Sequence, residues 1–110
     1  DDAHYVLALV DDALVGYYSL EGLSGNEIDL SRLFVDPDHI GTGVGKALIE
    51  KAKRHAVRLG AVKLNIQSDP NAEDFYRAAG GLKIGSKESG SIAGRYLPML
   101  QIDLSDLVSR

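Results

Sequence analysis

The stretch Gly41-Thr42-Gly43-Val44-Gly45 places glycine at every second position, between a predicted strand and a predicted helix. Because glycine has no Cβ, consecutive backbone N–H groups in such a turn can converge on one point and bind an anion. The helix that follows adds its unpaired N-terminal N–H groups and the positive end of its dipole, and Lys46 adds a full charge. Taken alone, the turn is equally compatible with a flexible connection.

Two well-known phosphate-binding motifs do not fit this turn. A dinucleotide-binding fingerprint, G-x-G-x-x-G, would need its third glycine where Lys46 or Leu48 stands. A P-loop would need glycine in place of Ile40, and serine or threonine in place of Ala47. The turn therefore belongs to neither class of nucleotide-binding site.

Upstream of the turn, the sequence predicts three strands. Apolar runs over Tyr5 to Val10 and Leu14 to Leu20 flank Asp11-Asp12, which indicates a hairpin. We expect a loop over Glu21 to Asn26, which is rich in glycine and serine, and a third strand over Ile28 to Val35.

Downstream of the turn, helices and strands alternate. Apolar residues at helical spacing predict the first helix, with Gly60 as its C-cap, and Asp69-Pro70 is typical of the start of a second helix. Phe75, Ala78 and Ala79 are predicted to form the buried side of that second helix, which Gly80-Gly81 ends. The predicted elements are a helix over 44–59, a strand over 62–66, a helix over 69–79, and strands over 82–84 and 96–104. Pro98 is best tolerated at an edge or bulge of the last strand.

This order predicts an α/β (α+β) fold, in which helices flank a mixed, largely antiparallel central sheet. With 110 residues, of which 45% are hydrophobic, the chain fits one domain over 1–110. The formal charge of -4 argues against general nucleic-acid binding, and the absence of cysteine excludes a thioester on the enzyme. No apolar run reaches the roughly 18 residues of a membrane span, and the first residues lack signal-peptide character, so we expect a cytoplasmic protein without membrane contact.

The stretch from Leu33 to Leu48 resembles the coenzyme A motif of the GNAT N-acetyltransferase superfamily, R/Q-x-x-G-x-G/A after a strand. Ile40 stands where the family usually has Arg or Gln, a residue that contributes largely through its backbone. A second stretch, from Asp69 to Gly80, resembles the family's Asn-to-Tyr helix. The resemblance covers Ile28 to Leu104, and two motifs in this order are far more specific than either one. It implies a GNAT-like acyl-CoA N-acyltransferase fold with acetyl-CoA as acyl donor.

The resemblance also implies roles for individual residues. It assigns the pantetheine arm to the backbone of Leu33, Phe34 and Val35 and to Asn71, and it counts Tyr76 among the residues that bind the donor. It assigns the pyrophosphate to the residues of the turn and the start of the helix: Ile40, Gly41, Thr42, Gly43, Val44, Gly45 and Lys46.

Two further residues are candidates for proton transfer. Tyr76 resembles the family's general acid, since a phenol is protonated at neutral pH, although a packed tyrosine is the alternative. Asp29 lies where several relatives carry a base that acts through water, with Glu27 as its rival and a solvated acid as the alternative. The three histidines have no metal-like spacing, and no metal site is expected.

Family members usually begin with a strand and two helices, whereas this sequence opens almost directly on the hairpin. We therefore expect a shortened member, or a chain whose N-terminal part lies on a partner or outside this sequence.

Three hypotheses follow from these residues. The first is an N-acetyltransferase that moves an acetyl group from acetyl-CoA to a primary amine of a small molecule or protein by direct attack. The second is a non-catalytic coenzyme A binding module or sensor subunit. The third is an interaction domain or half of a homodimer, because an uncovered apolar hairpin exposes edges that invite pairing.

Overall fold

A computed structural model describes residues 4–88 and 94–108 of the chain. Its helices and strands, in chain order, are β1 His4–Val10, β2 Ala13–Ser24, β3 Glu27–Val35, α1 Val44–Arg58, β4 Lys63–Gln67, α2 Glu73–Ala78, β5 Gly81–Glu88, β6 Tyr96–Asp103 and α3 Ser105–Val108. Single turns of 3-10 helix, Pro37–His39 and Pro70–Ala72, precede the glycine turn and α2.

The strands form one mixed sheet in the order β1-β2-β3-β4-β6-β5. Within the part of the chain that the structure describes, β3 and β4 are the parallel pair, and the other neighbours are antiparallel. The sequence-based prediction of a mixed, largely antiparallel sheet with flanking helices is confirmed.

The predicted loop over Glu21 to Asn26 is mostly strand. β2 continues through Ser24, and β3 begins at Glu27, so the connection shortens to Gly25 and Asn26. Gly22 has a φ of 75°, and the β2–β3 register shifts between Glu21 and Ser24. A bulge therefore absorbs the small residues while the backbone stays paired.

The second helix begins later than predicted. The Asp69 carboxylate accepts the Asn71 N–H at 2.8 Å, which caps a 3-10 turn, and α2 starts only at Glu73. On this short helix Tyr76 is buried and Phe75 half-buried, whereas Ala78 is exposed. The prediction that Ala78 belongs to the buried side is wrong. A helix of 6 residues makes fewer than two turns, and Phe75 and Tyr76 occupy the side that packs against the core.

The last two strands also differ from the prediction. β5 runs over Gly81–Glu88, well beyond the predicted 82–84, because it pairs along most of β6. β6 lies between β4 and β5, so Pro98 is not on an edge strand. The Pro98 carbonyl accepts the Ser68 N–H at 2.9 Å. Proline has no N–H to return, so the β4–β6 ladder ends there and the chain after β4 turns toward α2.

The core lies between one face of the sheet and helices α1 and α2. Alternate residues of the central strands point into it and are at most 6% exposed: Ile28, Leu30, Leu64, Ile66, Leu100 and Ile102. α1 contributes Leu48, Ile49, Ala52 and Ala56, all buried. The other face of these strands is polar and includes Glu27, Asp29, Asn65 and Gln101. None of the described helices is long and apolar enough to cross a membrane.

Candidate functional site

The sheet parts between β3 and β4. Their parallel pairing runs only from Glu27 opposite Lys63 to Leu30 opposite Ile66, although β3 continues to Val35. Ser31 is the extra residue of a bulge, because β2 pairs Leu20 with Leu30 and Ser19 with Arg32. Such a bulge bends the strand and increases its twist. Beyond Leu30, the β4-facing edge of β3 has no partner strand among residues 4–88 and 94–108.

A cleft lies on the helix side of this parting. Its volume is about 540 Å³, within the roughly 300–1,000 Å³ typical of small-molecule sites. We call it the glycine cleft, and it is lined by Leu33, Val35, Ile40, Gly41, Gly43, Gly45, Lys46, Asn71, Ala72, Phe75 and Tyr76. Nine of the twelve residues predicted to bind the donor are therefore brought together in one concave surface.

The glycine turn leaves several backbone donors free. Gly41 and Gly43 have φ angles of 85° and 93°, and Gly43 is the N-cap of α1 with no side-chain cap. The left-handed conformation suits glycine because it brings no Cβ clash. Within the described residues, no acceptor is found for the N–H groups of Gly41, Gly43, Val44, Gly45 and Lys46. Together with the helix dipole and the Lys46 ammonium, these donors suit a diphosphate.

Three residues predicted to bind the donor lie outside the glycine cleft. The Thr42 N–H donates to the His39 carbonyl at 3.2 Å, and the Thr42 hydroxyl donates to the same oxygen. Both the N–H and the hydroxyl of Thr42 are therefore occupied and are not available to a ligand. The Val44 side chain packs against the core, so only its backbone faces the turn, and Phe34 points to the opposite face of the sheet beside Tyr17.

Gly45 has a different role from the other two glycines. A Cβ there would come within 3.3 Å of Phe75 Cε1 and 3.4 Å of Val35 Cγ2. Glycine therefore lets the start of α1 approach α2 and β3 closely, which forms the floor of the cleft. Phe75 and Ala72 also line the cleft, and neither was predicted from the sequence as a lining residue. Ala72 ends the 3-10 turn and Phe75 lies in the first turn of α2, so both follow Asn71 closely along the chain.

Tyr76 lies where the glycine cleft meets the parting of the sheet. It is 8% exposed, and its ring contacts that of Phe75 edge to face at 5.1 Å. Burial raises the pKa of the Tyr76 phenol above its ordinary value of 10.0. No hydrogen-bond partner for the phenol oxygen is found in the described ranges. The phenol is therefore protonated at neutral pH and free to donate.

Two further cavities adjoin the glycine cleft in series toward the other face of the sheet. The sheet opening, about 400 Å³, is lined by Tyr17, Leu30, Ser31, Arg32, Leu33, Phe34, Ile66, Gln67, Asp69, Ala72 and Tyr76. The acidic cavity, about 380 Å³, is lined by Glu21, Asp29, Leu30, Ser31, Asn65, Gln67, Lys87 and Met99.

The three spaces share lining residues and therefore adjoin one another, and we call this series of cavities the passage. Leu33, Ala72 and Tyr76 line both the glycine cleft and the sheet opening. Leu30, Ser31 and Gln67 line both the sheet opening and the acidic cavity. The glycine cleft and the acidic cavity thus both border the sheet opening.

The two carboxylates considered as bases lie in different surroundings. Glu27 is half-buried, and its Oε1 accepts hydrogen bonds from Asn65 Nδ2 at 3.0 Å and Gln101 Nε2 at 3.4 Å. Asp29 is exposed, lines the acidic cavity, and has no hydrogen-bond or ion-pair partner within the described part of the chain. Over the same residues, no group of His, Cys, Asp and Glu is placed to hold a metal ion.

The family model of the acetyltransferase (GNAT) domain matches residues 1–99. The chain belongs to the GNAT acetyltransferase family. Membership supports acyl transfer as the general activity of the chain, and GNAT enzymes act on amine acceptors. Among curated proteins, no sequence matches this one.

Solved structures show the GNAT fold over nearly the whole chain. A Desulfovibrio desulfuricans protein assigned to the GNAT family has a TM-score of 0.83 at 21% identity, covering 94% of this chain and 69% of its own. An aminoglycoside 6'-N-acetyltransferase complexed with coenzyme A has a TM-score of 0.85 at 14% identity, with coverages of 94% and 73%. A GNAT acetyltransferase from Elizabethkingia anophelis with acetyl-CoA bound has a TM-score of 0.83 at 14% identity, with coverages of 93% and 76%.

Proposed function

We propose that this chain is an N-acetyltransferase that transfers an acetyl group directly from acetyl-CoA to a primary amine. The observation that carries the proposal is the passage through the sheet, which has free backbone N–H groups at one end and carboxylates at the other. Direct transfer needs donor and acceptor in contact, and a passage between two faces of the sheet allows this without a covalent enzyme intermediate.

The glycine cleft would hold the donor. The free N–H groups of Gly43, Gly45 and Lys46, with the start of the α1 dipole, would bind the pyrophosphate. The unpaired edge of β3 at Leu33 to Val35 would hydrogen-bond the pantetheine amides, with Asn71 facing it across the cleft. The donor's reactive end would then lie beside Tyr76, at the sheet opening.

When bound, acetyl-CoA supplies a thioester whose carbonyl carbon accepts the amine nitrogen and whose sulfur leaves. Tyr76 keeps a proton on its phenol oxygen at this point, because burial raises its pKa. It would donate that proton to the sulfur as the carbon–sulfur bond breaks and the nitrogen–carbon bond forms. The phenolate would regain a proton from solvent.

Asp29 would remove the proton from the attacking amine through an intervening water. Its carboxylate is exposed in the acidic cavity and has no partner among the described residues, whereas Glu27 is held by two side-chain amides. A base needs a free lone pair toward the substrate side, so these contacts favour Asp29 over Glu27.

Two measurements test this function. Calorimetric titration with acetyl-CoA should show saturable binding, and incubation with a panel of primary amines should release coenzyme A thiol in equal amount to the acetylated amine. Absence of binding would overturn the proposal. Binding without thiol release for any amine would instead identify a non-catalytic coenzyme A binding module.

A further inference from the structure

We propose that Glu21 is a specificity-determining residue, which selects an acceptor that carries a second cationic group besides the amine that is acetylated. This inference rests on the proposed function and extends it from primary amines in general to diamines and related dications. It follows from the position of Glu21 at the substrate end of the passage, from its like-charged neighbour, and from the contact that holds its carboxylate in place.

Glu21 and Asp29 lie opposite each other on β2 and β3. Side chains of such cross-strand partners point to the same face of the sheet, and their Cβ atoms are about 4.5–5.5 Å apart. Like charges placed directly opposite each other destabilise a sheet. Both carboxylates line the acidic cavity, and no ion pair to either is found in the described residues. A bound cation would relieve this repulsion.

Glu21 is held at the border of the sheet opening. The Ser31 hydroxyl donates to Glu21 Oε1 at 2.6 Å, and Ser31 is the bulge residue where β3 leaves β4. This bond occupies Oε1 and leaves Glu21 Oε2 available. The carboxylate is thus positioned beside the passage and keeps an acceptor for a ligand donor.

Geometry then separates the two amines of a diamine. The amine that attacks must be neutral and must reach the sheet opening beside Tyr76. The remainder of the acceptor then extends past Leu30, Ser31 and Gln67 into the acidic cavity. A second amine there stays protonated and meets Glu21. Lys87 lines the same cavity, so its lining carries one positive and two negative side chains and remains anionic. The cavity therefore favours a cation over a carboxylate.

The test compares three acceptors of similar length with acetyl-CoA as donor: putrescine, butylamine and gamma-aminobutyrate. We expect kcat/KM for putrescine to exceed that for butylamine by about 10- to 100-fold, the usual contribution of a hydrogen bond to a charged group. Gamma-aminobutyrate should be the poorest. In Glu21→Gln, which keeps an oxygen to accept from Ser31, the preference for putrescine should fall close to unity. Asp12→Asn removes the same charge at the other end of β2, in an exposed turn, and should keep the preference.

The outcomes separate this inference from the proposed function. Equal kcat/KM for putrescine and butylamine, a preference for gamma-aminobutyrate, or an unchanged preference in Glu21→Gln would each overturn the role of Glu21 while acetyl transfer stands. Failure to bind acetyl-CoA, or to release thiol with any amine, would overturn the proposed function and the inference together. Calorimetric titration of putrescine in the presence of coenzyme A gives a second readout, and binding should weaken in Glu21→Gln.

Discussion

The Tyr18 phenol oxygen lies 2.8 Å from His55 Nδ1, and this hydrogen bond joins the second strand of the sheet to the long helix α1. A neutral imidazole with its proton on Nε2 accepts the phenol hydrogen at Nδ1. Burial lowers the pKa of His55, and the nearby Arg58, His4 and Lys51 lower it further. Burial also raises the pKa of Tyr18, so both partners stay uncharged at neutral pH.

The lowered pKa of His55 predicts that the protein becomes less stable in mild acid. Because the folded-state pKa of His55 lies below its unfolded value of about 6.5, the unfolded chain binds more protons at low pH. The free energy of unfolding should be highest above pH 6.5, decline as the pH falls through that value, and level off below the folded pKa. Urea denaturation at a series of pH values between 5 and 8 measures this dependence.

Substitution of the imidazole tests the assignment, because glutamine is polar and does not titrate. His55→Gln should flatten the dependence over this range. An equally steep dependence in His55→Gln would contradict the assignment.

Removal of the Tyr76 hydroxyl should slow turnover and leave donor binding intact. Tyr76→Phe keeps the ring that packs beside Phe75 but cannot supply a proton to the leaving sulfur. General acids typically contribute about 10²- to 10⁴-fold, so kcat should fall by roughly 100-fold or more. The calorimetric affinity for acetyl-CoA should change little. An unchanged kcat would make Tyr76 a packing residue only.

A side chain at Gly43 should weaken donor binding. Alanine is disfavoured in the left-handed conformation of Gly43 by about 1–2 kcal/mol, so Gly43→Ala will tend to relax the turn and redirect its N–H groups. We expect affinity for acetyl-CoA to fall about tenfold, the equivalent of about 1.4 kcal/mol. Gly60→Ala is the control, because Gly60 has a φ of 101° and open space at the other end of α1. Equal affinities in the two variants would contradict the anion site.

The start of β5 should tolerate no side chain. A Cβ at Gly81 would meet the Tyr76 carbonyl oxygen at 2.8 Å and Leu100 Cδ2 at 3.3 Å. The clash is with backbone, so Gly81→Ala should destabilise the protein by about 1–3 kcal/mol, read from urea unfolding. Gly85→Ala, on the same strand with nothing within 4 Å, should be nearly neutral. The close approach of β5 to α2 would be in doubt if both variants had equal stability.

The sequence alone was sufficient for the order of the elements and for the glycine turn, since both depend on local spacing. The glycines of the turn and the alternation of Ile28 and Leu30 are local signals of this kind. The extension of β2 through Ser24 could not be predicted, because glycine and serine favour a loop and only pairing with β3 overrides that preference.

The candidate site likewise contains residues that a local motif predicts and residues whose place depends on pairing between strands. Tyr76 and Asn71 were found through a motif, and both line the glycine cleft. Glu21 and Ser31 carried no local signal, because their place depends on the register of β2 against β3 and on the bulge. Register between strands is a non-local property, and a shift of one residue would turn Glu21 away from the cavity.

The start of α1 has no side-chain cap, and the proposed donor would supply one. Gly43 has no side chain that could satisfy the first amides of α1, so a bound diphosphate would act as the missing cap. Folding of the first turn and ligand affinity then share the same hydrogen bonds. Amide hydrogen exchange at Val44 to Lys46 would accordingly be fast in the free protein and slow once the nucleotide is bound, while exchange in the middle of α1 stays the same.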